Sequence, residues 1–289
     1  MQLGKLGVWS PTDILTTTEL IDLAQRIERL GYAALWYPES RGHEAFALGS
    51  FLLCHTERLI VATGIANIYA RDAVTAKLGQ HTLAKLSGGR FILGLGVSHT
   101  GLVEDLRGHT YGKPVATMRA YLDGMDKAMA VAPVLPEAPP TVLAALGPNM
   151  TALGAERTAG IHPYCVTPEH TAWARRRVGS KAWVCVEQKV LRMQDPAKAR
   201  AVAKQALAPY LALTNYRNNW RRLGFSEVEL SDGGSDRFVD AMVVWGNDDA
   251  IRERIRQHLD AGASHVCIQP LHPSGERRPD LEALEALAP

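Results

Sequence analysis

Few side chains in this 289-residue chain stand in patterns that could do chemistry. The stretch LSGGRFILGLGVSH (86–99) breaks a helix with two glycines, continues as an apolar run and ends on Ser98-His99. Histidine titrates near neutral pH, and a well-placed one contributes about 10²–10⁴-fold as a general acid or base. Glu39, in WYPES (36–40), follows a second apolar run; it could position polar atoms of a ligand or brace Ser40 and Arg41 in its own loop. His43 and Glu44 come just after it, and Trp9 ends the first apolar run. Metal chemistry is not indicated, because the histidines are scattered and lack ligand spacing. The cysteines, at 54, 165, 185 and 267, have neither metal-ligand nor redox-motif spacing and read as reduced thiols. His81 sits at helical spacing inside GQHTLAKL and reads as a packing residue.

The scaffold that must carry these groups shows as an alternation of apolar runs and helical segments. Strands are predicted at 3–9, 33–37, 58–67, 90–96, 141–146, 160–166, 182–188 and 264–271. In the helix predicted over 16–31, Leu20, Leu23, Ala24, Ile27 and Leu30 form one stripe. Thr16 and Glu19 have capping-box spacing, and Gly31 is placed to end the helix. Further helices are predicted at 44–56, 72–89 and near 114–131, and from Asn149, Thr167-Pro168, Asp195-Pro196 and Asn247 onwards.

Strands alternating with helices make a parallel sheet, and near-continuous apolar strands have both faces covered. Eight such units, in a chain somewhat longer than the ~250 residues usual for the fold, predict a closed (β/α)8 TIM barrel. It would be one domain over 1–289, with an insertion at about 189–245. An open doubly wound sheet is the alternative. Against it, no strand is followed by G-x-G-x-x-G, and in GLGVSHTG (94–101) His99 stands where the third glycine would be. Barrel active sites form at the carboxyl ends of the strands. That rule gathers Glu39, GIANIYARD (64–72), Ser98-His99, Gly147-Pro148-Asn149 and Cys165-Val166-Thr167 on one rim.

A formal net charge of +2 carries no nucleic-acid signature, and the one basic knot, ARRRVG (174–179), reads as a solvated helix face. The start has no apolar stretch of signal-peptide length, and no run is long enough to span a membrane. A cytoplasmic protein without membrane or nucleic-acid partners is expected.

Three segments, RIERLGYAALWYPE (26–39), LIVATGIANIYARDAVTAKLGQHTLAKLSGGRFILGLGVSH (59–99) and VVWGNDDAIRERIRQHLDAGASHVCIQPL (243–271), resemble the bacterial luciferase-like superfamily. The likeness is to its branch of oxidoreductases that use the deazaflavin coenzyme F420. The resemblance implies a hydride exchanged between that cofactor and a small organic substrate, with His99 and Glu39 as catalytic residues. It implies a non-prolyl cis peptide at Gly64-Ile65 behind the cofactor ring, with Asn67 and Ser98 beside it. The cofactor's phosphate end would meet the helix starts at Gly147, Pro148 and Asn149 and at Cys165, Val166 and Thr167, where free N–H groups and the helix dipole favour anions. Gly147 would let the backbone come close, and Asn149 would cap its helix. Trp9, His43 and Glu44 would lie on the substrate side, and the loop 101–113 would cover the site. A homodimer is implied as well.

An FMN-dependent monooxygenase, supplied with reduced flavin by a partner reductase, shares the same motifs. A protein that holds such a cofactor without turnover is the reading from a different class, and His99 and Glu39 at two separate strand ends argue against it. The family's loop after strand two is often rich in acids and histidines. PESRGHEAF (38–46) departs from that pattern, which leaves the substrate open.

Overall fold

The computed structural model describes residues 1–128, 135 and 137–289. Its strands are β1 (Leu6–Trp9), β2 (Ala34–Tyr37), β3 (Ile60–Thr63), β4 (Ala66–Asn67), β5 (Phe91–Gly96), β6 (Thr141–Leu143), β7 (Gly160–Ile161), β8 (Trp183–Arg192), β9 (Val243–Gly246) and β10 (His265–Pro270). Each neighbouring pair is parallel. β10, β1, β2, β3, β5, β6, β7 and β8 follow one another around a ring, and β8 pairs with β10 to close it. Eight parallel strands with helices between them make the (β/α)8 barrel that the alternation predicts.

The two faces of each strand bury different layers. Trp9, Ala34, Trp36, Ile60, Ala62, Ile92, Val142, Cys185 and Cys267 fill the barrel interior. Leu35, Val61, Phe91, Val186 and Val266 face the helices, among them the Leu20, Leu23, Ala24 and Ile27 stripe. Several polar groups inside the barrel are paired, as burial demands. Trp36 Nε1 donates to His265 Nε2 at 3.1 Å, and His265 Nδ1 meets the Gly4 carbonyl at 2.6 Å.

The predicted strand over 58–67 is two strands, β3 and β4, separated by a cis peptide at Gly64-Ile65. The LGLG of β5 makes room for this break. A Cβ on Gly94 would lie 2.0 Å from the Thr63 carbonyl oxygen, and one on Gly96 would lie 2.4 Å from Ile65 Cδ1. Thr63 Oγ1 and the Gly94 backbone are joined by hydrogen bonds of 2.8 Å.

Helix starts follow the local chemistry. The Thr16–Glu19 capping box is complete, and Thr167, Asp195 and Asn247 cap their helices. The helix expected from Asn149 starts one residue earlier, at Pro148, with Gly147 as the capping residue. Proline's fixed φ suits the first helical position and shifts Asn149 inside, so Asn149 is not the cap. The helix expected near 114–131 spans Pro114–Lys127, and residues 129–131 fall outside the described residues.

β8 runs to Arg192, so the first four residues assigned to the insertion are barrel strand. The rest of the insertion contributes helices Pro196–Leu211, Thr214–Arg222 and Asp236–Met242, and then β9, a strand that the apolar pattern did not predict. Trp220, Phe238, Tyr216 and Leu207 form its own apolar cluster, which reaches the barrel through Cys165 and Leu191. Among the described residues no helix is long and apolar enough to cross a membrane.

Candidate active site

A cavity of about 820 Å³ opens at the carboxyl ends of the strands, between the barrel mouth and the insertion. Trp9, Arg41, His99, Leu102, Tyr210 and Gln269 are among its walls. His99 follows β5 directly and holds the capping position of the short helix Thr100–Val103, yet its side chain caps nothing. The imidazole instead faces the cavity, with the Tyr216 ring 6.0 Å away. Burial pulls the His99 pKa below its ordinary value, so the ring is neutral at pH 7. A neutral ring can accept a proton at one nitrogen and donate a hydrogen bond from the other. Ser98, just before it, has a positive φ of 57°, and its carbonyl accepts a hydrogen bond from the Tyr111 hydroxyl of the 101–113 segment at 3.2 Å.

Glu39 lies at the end of β2, but it does not line the cavity. One carboxylate oxygen takes the Ala45 N–H at 3.2 Å and the other the Asn67 N–H at 2.8 Å. Arg71 adds both terminal nitrogens of its guanidinium. Both oxygens are thus occupied by donors, which suits a clamp between the β2 loop and β4 better than direct positioning of a ligand's polar atoms. Glu44 caps helix Ala45–Cys54 through the Ala47 N–H and also pairs with Arg71. His43 Nε2 meets the Thr12 carbonyl at 3.2 Å. Neither borders the cavity, whereas Trp9 does and donates to the Gly64 carbonyl at 2.9 Å. Asn67 spends its side-chain oxygen on the Tyr69 N–H, and Ile65 accepts the Glu39 N–H.

The loops after β6 and β7 meet each other, since His170 Nε2 reaches the Leu146 carbonyl at 3.2 Å. Gly147 caps helix Pro148–Arg157 with no side-chain hydrogen bond to its first turn. Thr167 caps helix Pro168–Val178 through the His170 N–H. Cys165, at a positive φ of 53°, is held from both sides. Its N–H goes to Glu187 at 3.0 Å, and its carbonyl accepts Trp220 Nε1 at 3.1 Å. Val166 is buried beside it.

The residue patterns did not point to the buried charge at this mouth. Lys189, in the outer half of β8, puts its ammonium 3.2 Å from Glu187 and 3.9 Å above the centre of the Tyr164 ring. Tyr164 bonds the Tyr210 hydroxyl at 2.8 Å and donates to Gln269 at 2.8 Å. The legible signal was EQK (187–189), consecutive polar residues in a strand with covered faces. Among the described residues no three His, Cys, Asp or Glu side chains gather as a metal site.

Residues 2–265 match the sequence profile of the luciferase-like monooxygenases. The chain belongs to that family. The chain is similar to a Mycobacterium tuberculosis protein provisionally named a coenzyme F420-dependent oxidoreductase, 27% identical over 98% of this chain and 99% of that protein. The 5,10-methylenetetrahydromethanopterin reductase of Methanolobus tindarius is 24% identical over 88% of this chain and 91% of its own. Among solved structures, the coenzyme F420-dependent tetrahydromethanopterin reductase of Methanopyrus kandleri superposes with a TM-score of 0.78. That likeness covers 98% of this chain and 97% of the other at 17% identity, and it shows a shared barrel fold. Monooxygenases share the barrel too. The protein is an enzyme of this luciferase-like group.

Proposed function

We propose that the enzyme is a coenzyme F420-dependent oxidoreductase that moves a hydride between the deazaflavin and a small organic substrate. The observation that carries this reading is His99, a neutral imidazole with no capping duty, turned into a large cavity at the barrel mouth. Two features suit a cofactor with a flat ring and a phosphate tail. A Cβ on Gly64 would lie 2.7 Å from Trp9 Nε1, so backbone rather than side chain faces that wall. The Gly147 helix start, bare of any side-chain cap, offers its first N–H groups to an anion.

When bound, the deazaflavin supplies the ring carbon that takes or gives the hydride. The chain's own residues do the rest. His99 accepts the proton that leaves a substrate as the hydride is removed, or returns it in the reverse direction. Tyr210 and Gln269, on the cavity wall, orient polar atoms of the substrate. Trp9, Leu102 and Tyr210 exclude water. Glu39 acts as a positioning residue through Asn67 and Arg71. A homodimer and a small-molecule substrate belong to the same reading.

The monooxygenases that share the barrel favour a second reading, an FMN-dependent monooxygenase. A fluorescence titration of the purified protein with coenzyme F420 and, separately, with FMN decides between them. Tight binding of the deazaflavin alone supports the first reading. Preference for FMN moves the enzyme to the second, and no binding of either removes both.

A further inference from the structure

The geometry points to Gln269, near the end of β10, as the residue that selects the substrate: it offers an amide N–H to an acceptor oxygen of an uncharged molecule, and Tyr164 sets which way the amide is turned. The inference rests on the reading of the cavity proposed above and names the chemistry that one of its walls recognises. Gln269 lines the cavity and is 8% exposed. Its side-chain oxygen is taken by the Tyr164 hydroxyl, which donates to it at 2.8 Å. Tyr164 has a single hydroxyl proton, so in its 2.8 Å contact with Tyr210 the Tyr210 hydroxyl is the donor. Both tyrosine protons are therefore spent along the chain from Tyr210 through Tyr164 to Gln269. On the cavity wall Tyr210 is left with oxygen lone pairs, and Gln269 with the two N–H groups of its amide nitrogen. That nitrogen has no acceptor among the described residues. It is also not among the sealed and unpartnered polar atoms, as Thr12 Oγ1 and His162 Nε2 are, so it keeps access to solvent, which beside Gln269 is the cavity.

Tyr164 is itself fixed. The Lys189 ammonium lies 3.9 Å above its ring centre, and the Trp9 ring packs 5.2 Å from it. A cation is attracted to the face of an aromatic ring, so Lys189 holds the phenol where its hydroxyl meets Gln269. Lys189 and Gln269 are also register partners of the β8–β10 pair, which ties the two backbones together. The amide cannot turn over without breaking the Tyr164 bond, and a substrate therefore meets N–H rather than C=O. The walls around it decide the charge of that substrate. Leu102, Val202, Ala206 and Leu213 are apolar, whereas the charged wall residues Arg41, Asp105, Glu276 and Arg277 are exposed to solvent. A charge brought down among apolar walls loses its hydration without gaining a partner, but an uncharged oxygen needs only the one donor. A site built to hydrogen-bond a substrate atom rejects the analogue that lacks it, because the site's own polar group is then left unpaired.

The test uses a matched pair of probes, acetophenone and α-methylstyrene, which share a shape and differ in C=O against C=CH2. Their affinities are measured by isothermal titration calorimetry in the wild type, Gln269→Met and Tyr164→Phe, with oxidised coenzyme F420 present so that no hydride is available. Gln269→Met keeps the length of the side chain and removes the donor. It is expected to lower the ratio of ketone to alkene affinity by about fivefold or more, while alkene affinity stays within about twofold of the wild type. Tyr164→Phe frees the amide to turn over and should lower the same ratio by about twofold or more. A loss of general packing weakens both probes alike and does not move the ratio. An unchanged ratio in Gln269→Met, or a wild type that takes up neither probe, overturns the inference. An unchanged ratio in Tyr164→Phe overturns the part assigned to Tyr164, and if Gln269→Met binds neither probe, Tyr164→Phe decides the whole. The titration with coenzyme F420 stays separate from these outcomes. A protein that prefers the ketone through Gln269 but does not bind F420 loses the cofactor reading alone, and one that binds F420 without the ketone preference loses this inference alone.

Discussion

The Lys189 ammonium lies 3.0 Å from the Cys165 sulfur and 3.2 Å from the Glu187 carboxylate, and all three side chains are buried at the barrel mouth. Burial pushes the Cys165 thiol up to about 12, so it stays protonated, and Glu187 is the counter-charge that keeps Lys189 cationic. Removing one member of a buried ion pair strands the other. Lys189→Met is therefore expected to destabilise the fold by about 3–5 kcal/mol, read from the urea midpoint. Lys189→Met with Glu187→Gln should recover much of that loss. A Lys189→Met protein as stable as the wild type would show that the pair is not held as a pair.

Stability should fall steeply in mild acid. Burial holds His162, His170 and His265 at about 4 and His258 at about 3. An unfolded histidine titrates near ~6.5, so between there and about pH 4 the unfolded chain binds protons that the folded chain refuses. The stability due to these neutral rings is present above pH ~6.5 and is lost as pH falls through that window. Each contributes up to about 1.4 kcal/mol per pH unit. Urea midpoints at pH 7.5, 6 and 5 check this, and a flat profile would contradict it.

His99→Gln should leave cofactor affinity within about twofold of the wild type while lowering turnover by about 10²-fold or more. The sign of the pH effect follows from the depressed pKa. In substrate oxidation the neutral ring is the base, so the rate should decline only as pH falls below the ordinary histidine range. A His99→Gln enzyme that turns over normally removes the residue from the reaction.

The barrel was legible because its strands are continuous apolar runs and its helices carry their caps in sequence, as Thr16 with Glu19 and Thr167 with Pro168 do. Placing His99 needed only the rule that such strands deliver their carboxyl ends to one rim. What stayed hidden depends on contacts across the fold. Glu39 looks placed to position a ligand's polar atoms or to brace its own loop, and only Asn67 of β4 and Arg71 just after it turn it into a clamp. Lys189 reads as the start of the insertion until Glu187 and the Tyr164 ring close around it.

The two glycines of LGLG should not be equivalent. On Gly94 a methyl group would meet the Thr63 carbonyl oxygen at 2.0 Å, a backbone atom held by hydrogen bonds between Thr63 Oγ1 and Gly94. On Gly96 the obstacle is Ile65 Cδ1 at 2.4 Å, the far end of a side chain. Overpacking that a side chain can relieve costs about 1–3 kcal/mol, and a backbone collision costs more. Gly94→Ala is accordingly expected to be the more damaging substitution. Ile65→Ala, which removes both Cδ1 and the Cγ1 that would lie 2.7 Å away, should relieve Gly96→Ala and leave the Thr63 collision of Gly94→Ala in place. Melting temperatures of the two single and two double variants test this directly. Equal rescue of both would mean that Thr63 is free to move and that the glycines serve only to thin the strand.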